Sequence, residues 1–125
     1  MTTSVQVLAG VFAAVLIVVG LLEITQYRNP RLYRIFVIEP DDYDAVRMWA
    51  VNVGSYNIAF AAGIVLGLLL YHAGYPGEGR GLVIFLVGVH LLLGLVLVAS
   101  ERRLWVSGVG QAVIPALVLG LHLLG

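Results

Sequence analysis

The chain of 125 residues is 61% hydrophobic and 11% charged, and its mean hydropathy is +1.01. The hydrophobic fraction exceeds that of a soluble domain, so the composition predicts a protein of the lipid bilayer. It contains no cysteine, so disulfides, thiolate metal sites and dithiol redox chemistry are excluded. The formal net charge is zero, so no basic surface indicates a nucleic acid partner.

Four segments are long and apolar enough to cross a hydrocarbon core, which takes about 20 residues of helix. These predicted spans are residues 5–25, 46–71, 81–100 and 104–124. The first span has no Lys or Arg before it and no small-residue cleavage site after it, so it is predicted to be a retained helix and not a signal peptide. Residues 1–125 are therefore predicted to form a single transmembrane domain.

The only sizeable stretch outside the predicted spans reads "QYRNPRLYRIFVIEPDDYDAVR", residues 26–47. Its arginines alternate with Leu32, Ile35 and Phe36, a short amphipathic pattern that could lie along lipid headgroups. The letters "EPDD" then predict a helix start near Pro40, because Pro favours the first helical position. Since the other links are short, the fold class is predicted to be all-α: an antiparallel four-transmembrane-helix bundle with a short amphipathic cytoplasmic segment between helices 1 and 2.

The arginines predict the orientation. Six of the seven, all except Arg80, flank the first and third links. By the positive-inside rule, residues 26–45 and 101–103 are predicted to be cytoplasmic, with the N- and C-termini outside.

Polar side chains inside the spans must face protein or a cavity, because lipid offers no hydrogen-bond partner. At 100° per residue, Asn52 and Tyr56 share one stripe of the second span with Gly63 and Gly67, and this stripe is predicted to face inward. Helix rise places Glu23 a few ångströms below the cytoplasmic boundary and Asn57 about 12 to 17 Å below it. The predicted inward cluster, which is also a candidate ligand site, comprises Glu23, Asn52, Tyr56, Asn57, His90 and Gln111.

Two interpretations of this cluster remain open. The amides and the tyrosine could be hydrogen-bonding contacts between helices or contacts to a ligand. Glu23 could reach water, pair with Arg28 or Arg103, or act as a buried functional acid. His90 could bond to a backbone carbonyl or to Tyr56, or could relay protons.

Small residues predict close helix packing. Gly63 and Gly67 form a GxxxG pair, and Pro115 interrupts the hydrogen bonding of the fourth span. Such faces allow contacts within the bundle, between copies or against a larger partner. No catalytic residue, metal site or cofactor is predicted from the pattern.

Three motifs together resemble a known family. They are "LLE" at the end of the first span, "NVGSYNIAFAAG" in the second and "GQAVIPALVLGL" in the fourth. The combination, over nearly the whole chain, resembles the small bacterial four-helix membrane proteins classed as domain of unknown function thirteen hundred and four. The second-helix signature of that family, Asn-Gln-Gly-x-Tyr-Asn followed by small residues, maps onto Asn52, Gly54, Tyr56, Asn57 and residues 61–63.

The chain departs from the family pattern at three positions. Val53 replaces the glutamine of the signature, and Val15 and Leu16 replace a Glu-His pair of the first helix. The resemblance implies a four-helix fold in a bacterial cytoplasmic (inner) membrane. It implies no established reaction.

The sequence therefore favours a non-enzymatic accessory or structural subunit that packs against another membrane protein or self-associates as a homo-oligomer in the lipid bilayer. No nucleophile and base stand at a recognisable spacing. The alternative is a small-molecule or lipid-binding or transport protein that uses a polar cavity in the cytoplasmic half of the bundle. Catalysis by Glu23 and His90 is a third hypothesis, which their different depths disfavour.

Overall fold

The computed structural model describes all 125 residues, Met1–Gly125, and contains helices and no strands. The five α-helices are α1 (Thr3–Gln26), α2 (Tyr33–Phe36), α3 (Tyr43–His72), α4 (Pro76–Ser100) and α5 (Trp105–Leu124). The four long helices are each apolar and long enough to cross a membrane. The prediction of an all-α fold with four helices long and apolar enough to span a membrane is confirmed.

The helix boundaries follow from local sequence. Thr2 caps α1 by accepting a hydrogen bond from the backbone N–H of Val5 at 3.4 Å. A 3₁₀ turn over Pro40–Asp42 leads directly into α3. Gly74 has a φ of +98° in the link before α4, a left-handed conformation that glycine adopts without steric cost.

Two helix pairs are held together by glycine crossings. α1 meets α3 where Gly20 faces Gly54, so closely that a Cβ on Gly20 would lie 2.6 Å from the Gly54 carbonyl oxygen. α4 meets α5 where Gly94 faces Gly108, and a Cβ on Gly108 would lie 2.9 Å from the Gly94 carbonyl oxygen. Both crossings lie near the end of the molecule that carries most of the arginines. Each allows the two backbones to approach without a side chain between them.

The two pairs meet each other at the opposite end. There, a Cβ on Gly67 of α3 would lie 3.0 Å from the carbonyl oxygen of Gly79 of α4, and one on Gly63 would lie 2.7 Å from the side chain of Leu86. α1 also packs against α5. The helices therefore form a ring in the order α1, α3, α4, α5, in which the two pairs converge away from the arginines.

The hydrophobic core occupies this convergent half. Its members are the buried residues Val5, Ala9, Phe12, Ala13, Leu16, Ala61, Ile64, Val83, Leu86, Val87 and Val118. We call it the packed half. At the arginine-bearing end, which we call the cavity half, the two pairs separate.

The chain between α1 and α3 lies against this separated end. The hydroxyl of Ser107, on α5, donates a 2.6 Å hydrogen bond to the carbonyl oxygen of Ile35. Arg28 pairs with Asp44 at 2.6 Å, which joins the two ends of the segment. We call residues 27–42 the roof segment because part of it covers the space between the helices.

Candidate ligand-binding cavity

A cavity of about 550 Å³ lies between the helix pairs in the cavity half. Twenty residues line it, and 15 of them are hydrophobic. The walls come from α1 between Phe12 and Glu23, from α3 between Val46 and Asn57 and from the first turns of α5, with Leu97 of α4. Tyr27, Ile35, Phe36 and Ile38 of the roof segment complete the lining. The volume and the apolar lining are typical of sites that hold small molecules.

Glu23 and Asn57 form the polar centre of the cavity. The Asn57 side-chain amide donates a 2.7 Å hydrogen bond from Nδ2 to Oε2 of Glu23. The crossing of Gly20 and Gly54, about one turn away on each helix, brings the two side chains within reach. The second carboxyl oxygen of Glu23, Oε1, has no hydrogen-bond partner in the protein. One acceptor atom is therefore available to a bound molecule.

Gln111 places a second set of polar atoms on the cavity wall. Its side chain forms no hydrogen bond within the protein, although it lines the cavity. Pro115, which is buried inside α5, has no N–H to donate to the Gln111 backbone carbonyl one turn earlier. Gln111 thus brings polar groups that the protein itself leaves free.

No cationic side chain lines the cavity. The two arginines that could have paired with Glu23 pair elsewhere, Arg28 with Asp44 and Arg103 with Glu101 at 2.9 Å. The hydrogen bonds from Arg103 lower the pKa of Glu101 to about 2. Glu23 is therefore the only ionisable carboxyl group in the cavity lining, and its protein partner is the neutral Asn57.

His90 is packed away from this centre. It is 1% exposed, and its Nδ1 lies 3.2 Å from the carbonyl oxygen of Leu86. The rings of Phe12 and Phe60 meet its ring edge to face, with centroids 5.3 and 4.8 Å away. The structure thus corresponds to the backbone-bonded interpretation and does not bring His90 into the cavity lining.

Asn52 and Tyr56 require a correction, because the inward placement predicted for them is wrong. Both side chains are exposed, Tyr56 to 60%, and Asn52 lies on a shallow outer groove of α3. The contact with α1 is set by Gly54, and residues two positions before or after it point about 200° away. The inward line of α3 runs instead through Gly54, Asn57 and Ala61.

The predicted difference in depth between Glu23 and Asn57 is also wrong, since the two side chains are hydrogen-bonded. Glu23 lies three residues from the end of α1, whereas Asn57 lies 14 residues after the start of α3 at Tyr43. α3 therefore extends well past the end of α1. Depth counted from span ends fails here because those ends are not level.

The Gly20–Gly54 crossing and the hydrogen bond from Ser107 to the roof segment were not predicted from the sequence. Gly20 was a detectable signal, since it interrupts a continuous run of Val and Leu near the end of α1. Nothing in the sequence pairs Ser107 with Ile35, which are 72 residues apart. The predicted packing residues Gly63 and Gly67 lie at the α3–α4 contact.

A family model described as "Protein of unknown function (DUF1304)" matches residues 10–123. The chain belongs to this family. The resemblance drawn from the sequence motifs is thereby confirmed. Neither the curated proteins nor the solved structures include a match to the chain.

The departures from the family pattern fall on the cavity. Val15, Leu16 and Val53, which stand where the resemblance implies polar residues, all line it. Two residues of the family signature, Asn52 and Tyr56, lie on the outer surface, whereas Asn57 lies inside. The cavity of this family member is consequently more apolar than the family signature implies.

Proposed function

We propose that this member of the DUF1304 family is a multi-pass membrane protein that holds a small amphipathic molecule in the cavity half of its helix bundle. The observation that carries the proposal is the 550 Å³ cavity, mostly hydrophobic, with polar atoms of Glu23 and Gln111 left free on its wall. The cavity is partly open at the protein surface, and its volume is far larger than that of a packing defect in a close-packed interior. A bound molecule would fill the space and satisfy the free polar atoms.

The openings of the cavity favour a ligand that reaches it from the bilayer. Four lining residues on the spanning helices α3 and α5 are also exposed: Trp49, Val53, Val106 and Gly110. Because these surfaces are apolar and belong to spanning segments, they adjoin lipid chains and not water. The proposed ligand is therefore one that dissolves in a membrane.

The proposed topology is an antiparallel four-helix bundle in a bacterial cytoplasmic membrane, with both termini outside. The contacts of Gly10 with Leu68 and of Gly20 with Gly54 support opposite directions for α1 and α3. The arginines at one end support a cytoplasmic location for residues 26–45 and 101–103. This arrangement would place the roof segment and the cavity on the cytoplasmic side.

A pair of glycine variants tests the cavity proposal. A Cβ on Gly110 would meet no atom within 4 Å, so Gly110→Leu can fill the cavity without disturbing the helix contacts. Gly120→Leu is the matched control, since Gly120 is on the same helix, equally open, and outside the cavity lining. The measurement is native mass spectrometry of each protein, extracted gently from its own membrane at native expression levels.

We expect a reproducible small-molecule adduct on the wild-type protein and on Gly120→Leu, and its loss from Gly110→Leu. An adduct that persists in Gly110→Leu would show that the molecule binds elsewhere. A wild-type protein that carries no adduct under conditions that preserve its fold would contradict the proposal.

The accessory-subunit hypothesis remains a second proposal, but no specific observation favours it. Gly63 and Gly67, the glycine pair from which a docking face was predicted, contact α4 of the same chain. Their packing is therefore accounted for within the bundle. Co-purification with another membrane protein at fixed stoichiometry would support an accessory role, and isolation as a lone monomer would count against it.

A further inference from the structure

We propose that the cavity selects a single-chain amphiphile whose polar head is a protonated amine, with Glu23 as the group that recognises it. This inference rests on the proposed function and names the class of ligand. It follows from three features of the cavity: the free hydrogen-bond acceptors, the single carboxyl group without a cationic partner, and the length.

The cavity lining leaves both acceptors and donors free, and the free donors are N–H groups of Asn57, Gln111 and Trp49 and the hydroxyl of Tyr27. Oε1 of Glu23 has no partner, and Asn57 uses one N–H on Glu23 while its carbonyl oxygen remains free. Ser107 donates its only hydroxyl hydrogen to Ile35, which leaves its oxygen as an acceptor. The Gln111 side chain adds one acceptor and the largest remaining group of donors. A head group with several N–H donors can bond to these acceptors, of which only that of Glu23 belongs to an ionisable group.

The single carboxyl group of the lining disfavours an anionic head group and favours a cationic one. Glu23 is the only carboxyl group that lines the cavity, and no Arg, Lys or His accompanies it. A carboxylate or phosphate head would be placed near Glu23 with no cation to offset the repulsion. A primary ammonium has three donors and the opposite charge, so it can pair with the carboxyl group that the protein leaves without a cationic partner.

The shape of the cavity selects a single extended chain. Its α1 wall runs from Phe12 to Glu23, eleven residues, which correspond to about 16 Å at the rise of an α-helix. The Phe12 end is formed by buried residues of the hydrophobic core, whereas the Glu23 end is polar. A ligand with an apolar tail toward Phe12 and its head at Glu23 fits this polarity.

Three probes with the same tail test the inference: dodecylamine, 1-dodecanol and dodecanoate. The full-length protein is reconstituted in nanodiscs of uncharged lipid at pH 7, where an alkyl amine is protonated. Binding is followed by the fluorescence of Trp49, which lines the cavity, in a Trp105→Phe background. We expect dodecylamine to bind at least 10-fold more tightly than 1-dodecanol, and dodecanoate to bind least.

Two carboxyl variants locate the preference. Glu23→Gln keeps an acceptor for Asn57 and removes the charge, so it should reduce the affinity for dodecylamine to that for 1-dodecanol. Glu101→Gln removes a carboxylate outside the cavity at the same end of the protein, and the amine preference should be unchanged. If Glu23→Gln does not fold, the comparison of the three probes on the parent protein still tests the inference.

The outcomes separate a failure of the amine proposal from a failure of the cavity proposal. Equal affinity for amine and alcohol, tightest binding of dodecanoate, or an amine preference that survives Glu23→Gln would overturn the amine proposal and leave the cavity proposal intact. Absence of binding by all three probes would overturn both.

Discussion

The two halves of this molecule are built from the same four helices but differ in packing. In the packed half, Phe12, Ile64 and Val83 are completely buried and the helix pairs touch. In the cavity half, each pair is held by its own glycine crossing, and the space between the pairs is not filled by side chains. The difference indicates that stability and ligand binding are separated along the helix axis, and it can be tested by substitutions in each half.

The largest effect is expected at the α1–α3 crossing. In Gly54→Val, the new side chain would begin at a Cβ only 2.6 Å from the Gly20 carbonyl oxygen, so the helices must move apart. We expect a loss of about 3 kcal/mol or more in the free energy of unfolding, at the upper end of overpacking costs. Gly88→Val is the control, because a Cβ there meets no atom within 4 Å. The measurement is reversible unfolding in bicelles. Equal stabilities of the two variants would show that α1 and α3 do not approach closely at Gly54.

The next largest loss of stability is expected when a side chain of the packed half is shortened, and the matching change in the cavity half should cost less. Ile64→Ala should lower the free energy of unfolding by about 1–3 kcal/mol, because it leaves an unfilled space in the packed half, although lipid adds no water-transfer term. Val53→Ala should cost less than about 1 kcal/mol, since Val53 already borders open space. The same unfolding assay measures both. Similar losses for the two variants would show that the halves do not differ in packing.

A smaller effect is expected from the two asparagines of α3. Asn57→Leu removes the hydrogen bond to Glu23 and should cost about 0.6–2 kcal/mol, the range measured for hydrogen bonds between membrane helices. Asn52→Leu should be nearly neutral, because Asn52 is exposed and has no hydrogen-bonded partner on another helix. If Asn52→Leu loses more free energy of unfolding than Asn57→Leu, then Asn52 and not Asn57 lies on the inward face of α3.

The smallest effect concerns the exposed pair of Glu101 and Arg103 at the arginine-bearing end. Because the pKa of Glu101 is lowered from 4.5 to about 2 in the folded protein, the pair stabilises the fold above pH 4.5. This contribution is lost as the pH falls from 4.5 toward 2. The Glu101→Gln variant should therefore show a shallower decline of stability with falling pH in this window than the parent protein. Parallel pH curves for the two proteins would contradict the assignment.

The sequence predicted the number and position of the membrane helices because each apolar run is long enough to have only one stable conformation in lipid. It also identified Glu23, Asn57 and Gln111, since polar groups at depth require an inward environment. These three residues line one cavity in the structure. The inward positions predicted for Asn52 and Tyr56 are wrong, because the polarity of these side chains does not define the inward face of α3.

That face is determined by backbone approach and not by side-chain polarity. Gly54 sets the rotation of α3 against α1, and a pattern of polar and apolar residues does not show which glycines lie at a contact between helices. The roof segment was predictable only in its amphipathic character, because its position depends on contacts between residues distant in sequence, such as the hydrogen bond between Ser107 and Ile35. Contacts between residues distant in sequence leave no periodic signal along the chain.

The convergence of the helix pairs near Gly67 and Gly79 has a mechanical consequence. From Gly67 to Val46, on the rim of the cavity, α3 measures about 31 Å, so this part of the helix acts as a lever whose pivot lies in the packed half. A rotation of only about 5° at that pivot would move the rim by about 3 Å, nearly the width of a methylene chain. The width of the cavity at this end thus depends on the angle at which the two helix pairs meet in the packed half.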